Sequence, residues 1–156
     1  MPGDHSSLLA GRNVAPLTDE EARRVANTFL GMDRQVNFRY EPAEVTRCRL
    51  YQNEAETICE IVFGPDIYPG ANVIDPNSSL SMAGAVAHEL SHYHRWNDKT
   101  ELAGTHLVEI DEALTSLDAV QRYYHHLTEH QIRQLVLDAM QRLQLFARKH
   151  LNEFSK

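Results

Sequence analysis

The stretch from Ser79 to Trp96 limits the fold more than any other part of the chain. Met82, Val86, Leu90 and Tyr93 recur there at helical spacing, so a helix in this region must bury one face. His88, Glu89 and His92 fall on its other side. Residues at i and i+4 differ by only about 40° around a helix, so both imidazoles can reach one metal ion. Such a helix has to be packed on its back by the rest of the chain while its front lines a cleft. Ser79 or Ser81 is suitably placed to cap its start.

The remaining elements follow from the period of the apolar residues. Thr18 opens a first helix with Glu21 completing a capping box. Ala22, Val25, Ala26, Phe29 and Leu30 form its apolar stripe, and Gly31 is expected to close it. From Val36 the period changes to two. Glu44 to Gln52 and Glu56 to Phe63 read as two strands joined by a tight turn near Asn53-Glu54. Folding about that point sets Cys48 opposite Cys59 and Arg47 opposite Glu60, with Cys48, Leu50, Cys59, Ile61 and Phe63 on one face. A short third strand is expected at Asn72 to Asp75, between the breakers Pro69-Gly70 and Pro76-Asn77. After a polar loop from Asn97 to Thr105, two helices are expected at about His106 to Leu127 and Thr128 to Phe154, the second opened by a Thr128/Gln131 capping box. Its stripe of Ile132, Leu135, Val136, Ala139, Leu143 and Phe146 reads as packing scaffold. The expected class is α+β. Residues 1–17 read as a loose N-terminal arm and 18–156 as a single domain.

His88-Glu89-Leu90-Ser91-His92 has the pattern H-E-x-x-H. Two neutral imidazoles suit zinc, and the carboxylate of Glu89, one residue after His88, can reach a water on the ion's open position and take its proton. A hydrolytic zinc site needs one further protein donor. The segment from Val108 to Ser116 offers carboxylates on a second helix. Glu109 and Glu112 lie on the same face of it.

Glu112 stands twenty residues after His92, and here the chain resembles the thermolysin-type gluzincins, in which a helix bearing N-E-x-x-S-D provides a glutamate ligand. Asp111-Glu112-Ala113-Leu114-Thr115-Ser116 looks like a version of that motif. The pair Glu112-Ala113 also resembles the E-x-E-A pattern that follows H-E-L-x-H in compact ImmA/IrrE-type metallopeptidases. The resemblance covers about residues 85–120. It implies a minimal zincin-like domain, a small antiparallel sheet beside the active-site helix, one zinc ion per chain with Glu112, in preference to Glu109, as its third ligand, and a peptide bound along an edge strand. The gluzincin aspartate that orients the first histidine is replaced by Ser116, and Glu109 is the other group able to take that role. Tyr123 and His126 are candidates by residue type for holding the developing oxyanion, alongside His106, Tyr124 and His125.

These readings together imply a zinc endopeptidase in which Glu89 activates the attacking water. By analogy with the compact relatives it would be an intracellular regulatory enzyme of the stress-response or phage-defence kind, with a protein or peptide substrate and a dedicated regulatory partner. The alternative is a zinc-binding sensor or scaffold that does not cleave. A net charge of -7 with scattered basic residues argues against nucleic acid or an anionic membrane as partner. No run approaches the apolar length of a membrane span, and the first twelve residues lack a signal-like apolar core, so the expected location is the cytoplasm. Two cysteines make no disulfide framework and read as buried thiols.

Overall fold

A computed structural model of the chain describes residues 11–71 and 79–154. It is α+β, in the order α1 (Asp19–Met32), β1 (Phe38–Tyr40), β2 (Arg47–Asn53), β3 (Glu56–Phe63), α2 (Met82–Asn97), α3 (Val108–Tyr123) and α4 (Glu129–Phe154). The strand expected at Asn72 to Asp75 lies outside the described residues. Among the described residues no helix is long and apolar enough to cross a membrane.

Local chemistry sets the helix ends. The Thr18 hydroxyl accepts from Glu21 N at 3.1 Å while Glu21 Oε1 accepts from Thr18 N at 2.9 Å, so two otherwise unpaired amides are satisfied. The same reciprocal pair joins Thr128 and Gln131 at the start of α4. Of the two serines able to cap α2, Ser81 does so, accepting from Gly84 N at 3.1 Å. Gly31 does not end α1. The helix continues to Met32, and Asp33 caps it in extended backbone with its N–H on Phe29 O. Asp33 is held there from three sides: its carboxylate accepts from Gln35 N, from the His94 ring at 2.6 Å and from the Tyr123 hydroxyl at 3.2 Å. One carboxylate thus ties α1 to α2 and α3.

The sheet is mixed, with strand order β1-β3-β2. β2 and β3 form the expected antiparallel hairpin, but β1 adds in parallel, Phe38 facing Ile61 and Tyr40 facing Phe63. Three residues were too few to announce a strand by alternation. β1 is held instead by aromatic packing, with the Phe38 ring stacked on Phe29 at 4.8 Å and Tyr40 on Phe63 at 5.2 Å.

The hairpin register differs from the one expected. The two-residue loop is Glu54-Ala55, with Glu54 at φ 44°, so Cys48 faces Ile61, Leu50 faces Cys59 and Arg49 faces Glu60. This register lets Gln52 Nε2 donate across the strands to Thr57 Oγ1 at 2.8 Å. Moving the turn by one residue keeps every side chain on its expected face, so only the pairing changes. Cys48 and Cys59 become diagonal neighbours and are free thiols. β2 begins at Arg47 and not at Glu44 because Asp66 captures Thr46, accepting from its amide at 3.0 Å and its hydroxyl at 2.6 Å. Gly64 completes that junction. A Cβ there would stand 1.7 Å from the Glu44 carbonyl oxygen.

One core joins all layers: Val25 and Phe29 of α1, Ile61 and Phe63 of β3, Val86 and Leu90 of α2, Ala119 and Tyr123 of α3, and Leu135 of α4. Each large apolar side chain buried there contributes about 1.5–3 kcal/mol. Residues 12–17, before α1, are tied to this body. The Arg12 guanidinium donates to the carbonyls of Asp66, Ile67 and Leu80 at 2.6–3.0 Å, and Leu17 N donates to Tyr40 Oη at 2.8 Å.

Gly31 sits inside α1 with no atom within 4 Å of where a Cβ would stand. Gly31→Ala should therefore stabilise the protein by about 0.5–1 kcal/mol and raise Tm by about 1–4 °C. A lower Tm in a thermal melt would contradict the helical assignment at this position.

Candidate metal centre

α2 delivers His88 and His92 to one side, as their spacing requires. Their rings stand 4.7 Å apart at 83° to one another. Val86 and Leu90, on the opposite face, are fully buried. α3 crosses in front and brings Glu112 between the rings. Its Oε2 lies 2.8 Å from His88 Nε2 and 3.0 Å from His92 Nε2. Among the described residues these are the three whose donor atoms gather closely enough to share an ion, all within 4.8 Å of one another.

The far side of each imidazole is also fixed. His88 Nδ1 lies 2.8 Å from Ser116 Oγ, and that hydroxyl donates to Asp138 Oδ2 of α4 at 2.6 Å. Asp138 in turn accepts from Arg142 Nε at 2.8 Å, and Arg142 Nη1 stands 3.6 Å from Glu112 Oε2. His92 Nδ1 lies at a longer 3.5 Å from Thr115 Oγ1. The angle between the two helices is held by Arg95, buried at 4% exposure. Its guanidinium donates to the Asp111 carbonyl at 2.8 Å, to Thr115 Oγ1 at 2.7 Å and to the Thr100 carbonyl at 2.9 Å. It also pairs with the Asp111 carboxylate at 2.8 Å. Removing such a buried cation would leave several acceptors unsatisfied.

Electrostatics separates the two glutamates. Burial opposes a charge on Glu112, but His92 and hydrogen bonds from both rings outweigh it and hold the carboxyl well below its ordinary value. Burial also works against a charged His92, yet the carboxylates of Glu112, Glu89 and Asp111 lift it to about 9. In the metal-free protein the site is therefore an imidazolium–carboxylate cluster, and an entering cation must displace a proton. Glu89 behaves differently. Burial pushes its carboxyl above the ordinary value, against the pull of His92 and His88. Its Oε2 is buried and meets no hydrogen-bond partner among the described residues. It lies outside the three-residue cluster, and this oxygen is left without a partner of its own.

The donor set fits a divalent ion of borderline softness. Two imidazole nitrogens and one carboxylate oxygen match a zinc site with one position left open. Tetrahedral ligands at about 2.0–2.1 Å from zinc stand roughly 3.3 Å apart, so the 2.8 and 3.0 Å contacts would need to open by only a few tenths of an ångström.

The other residues singled out by sequence are placed elsewhere. Glu109 ion-pairs with Lys149 of α4 and lies outside the cluster. Ser116 does not approach the shared point of the three donors, and serves His88 from behind. Tyr123 is 5% exposed and donates to Asp33, and burial beside that carboxylate raises its phenol. It stands eleven residues, about 16 Å along α3, from Glu112, in a structural lock. His126 sits in an exposed turn between α3 and α4, and His94 belongs to the same lock as Tyr123. Trp96 is half-buried, and Arg95 is the residue that fixes the end of α2. Sequence reasoning missed Arg95, Asp138 and Arg142. For the last two the signal was available: a polar face on α4 carrying Gln134, Asp138 and Arg142 at four-residue spacing, two of which are buried.

No protein-family model, curated protein or solved structure matches the chain.

Tyr123→Phe tests the division between lock and metal centre. It should cost about 1–3 kcal/mol of stability, the range for a hydrogen bond to a charged group, while bound metal stays at the wild-type level. A melt unchanged from wild type, or a loss of metal, would contradict the assignment.

Proposed function

We propose that the chain is a zinc-dependent peptidase in which His88, His92 and Glu112 hold the ion and Glu89 moves the proton. The observation that carries the proposal is the meeting of both Nε2 atoms with one Glu112 oxygen at 2.8 and 3.0 Å, beside a buried carboxyl oxygen of Glu89 that has no partner. Bound there, the ion would polarise a scissile carbonyl and acidify the attacking water.

The chain's own residues do the rest. Glu89 takes a proton from the attacking water and returns it to the leaving amine. Its raised carboxyl value moves it toward the neutral range in which a group can both accept and donate. Glu112, His88 and His92 hold their geometry through Arg95, Thr115 and Ser116, so little reorganisation is needed during reaction. A substrate in extended conformation can add to the outer edge of β2. That strand lies beside the active-site helix, with Cys48 Sγ donating to the Glu89 carbonyl at 3.5 Å. An edge with no further strand among the described residues favours cleavage within a chain over trimming of its ends, and a protein or peptide is the substrate class that fits.

The likeness to thermolysin-type and ImmA/IrrE-type enzymes is part of this reading, as is a regulatory role with a dedicated partner. The free thiols Cys48 and Cys59 suit a reducing compartment such as the cytoplasm. Ser116, standing where a gluzincin places a carboxylate, and the placement of Tyr123 and His126 away from the three donors favour the alternative of a zinc-binding sensor or scaffold that does not cleave.

Glu89→Gln separates the two. Metal analysis should find one zinc per chain in wild type and in Glu89→Gln, and none in His92→Ala or Glu112→Ala. Cleavage of a peptide library, read by mass spectrometry of new termini, should fall at least about 100-fold in Glu89→Gln. A zinc-loaded wild type that cleaves nothing, or a Glu89→Gln variant as active as wild type, would overturn the peptidase reading.

A further inference from the structure

We propose that Asp138 of α4 is a positioning residue for the metal centre, acting on His88 through the Ser116 hydroxyl. The proposal rests on the metal-binding part of the reading above and not on peptide cleavage.

A carboxylate only accepts, and Ser116 has a single hydroxyl proton. That proton is committed to Asp138 Oδ2, 2.6 Å away. Ser116 Oγ can therefore only accept from His88 Nδ1, 2.8 Å on its other side. Nδ1 thus carries a hydrogen whatever Nε2 does. Without metal Nε2 also donates, to Glu112 Oε2 at 2.8 Å, and that hydrogen is the one an entering ion displaces. A histidine that ligates zinc through Nε2 must keep its hydrogen on Nδ1, and an acceptor behind the ring holds it there. Asp138 supplies its charge one hydroxyl further away than a carboxylate in direct contact would.

Burial strengthens the relay. Ser116 is fully buried, Asp138 is 9% exposed and His88 4%, so water has little room to compete for these bonds. Arg142, one turn after Asp138, holds the carboxylate through Nε at 2.8 Å and turns Nη1 toward Glu112 Oε2 at 3.6 Å. One side of α4 therefore supports both the first histidine and the third ligand. Ser116 then appears as half of a two-residue orienting group, its other half lying twenty-two residues downstream on the next helix.

The test is a double-mutant cycle on the full chain. Zinc affinity is measured by competition with a chromophoric chelator for wild type, Ser116→Ala, Asp138→Asn and the double variant. In parallel, long-range nitrogen–proton NMR correlations read which nitrogens of the His88 ring carry hydrogen, with and without zinc. Each single variant should weaken zinc about 10–100-fold, and the double should be no weaker than the worse single, because both break one chain. Without zinc, His88 Nδ1 should carry a hydrogen in wild type and lose it in both variants, where Nε2 keeps the one it gives to Glu112. Independent, additive losses would overturn the proposal, as would wild-type affinity in Asp138→Asn or a zinc-free wild type with no hydrogen on Nδ1. If wild type binds no zinc, the metal reading falls while the Nδ1 hydrogen still decides the relay. If it binds zinc and cleaves nothing, the peptidase reading falls alone. Ser116→Ala leaves the Asp138–Arg142 pair intact, so it decides the case should Asp138→Asn fail to fold.

Discussion

A carboxylate placed between two imidazoles and screened from solvent is the constraint on which the structure turns. Burying an ionised carboxyl without partners costs several kcal/mol or more. Glu112 escapes that cost because His88, His92 and Arg142 surround it. The three come from α2 and α4, while Glu112 itself is on α3. Satisfying one charge therefore fixes the mutual placement of three helices. A cluster so arranged is poorly suited to serve stability alone, since an apolar side chain would fill the same space at lower cost. Its donor set is one that could hold a divalent ion, as proposed above.

Two further polar knots hold the frame around that cluster. Arg95 fastens the end of α2 to α3 and to the Thr100 loop, close to the level of Glu112. Asp33 fastens the end of α1 to both helices at the other end of α3. Between them the apolar core of Val86, Leu90, Phe63 and Leu135 packs from behind. The side of α2 that faces Glu112 thus carries the polar groups, and the opposite side carries the packing.

Much of this was legible from the amino acids. The α2 stripe and its His/Glu face and the capping boxes at Thr18 and Thr128 follow from local spacing, while the choice of Glu112 over Glu109 came from the motif it resembles. What escaped depended on contacts between distant segments. β1 is too short to show a period and is held by Phe29 and Phe63. The hairpin register turned on which residue would accept a positive φ, a choice of one position that alternation cannot make. Gly31 looked like a stop, yet Asp33 provided a better one because His94 and Tyr123 await it. Asp138 and Arg142 were hidden by a different cause. α4 has a good apolar stripe, and its buried polar residues acquire meaning only once Ser116 and Glu112 are opposite them.

The account stands on a single point in space shared by three side chains. Crystals grown with zinc and measured at the zinc absorption edge address it directly. One anomalous peak should lie about 2.0–2.2 Å from His88 Nε2, His92 Nε2 and a Glu112 carboxylate oxygen. A peak on other residues, or none while Glu112 remains hydrogen-bonded to both rings, would contradict the metal centre and everything built on it.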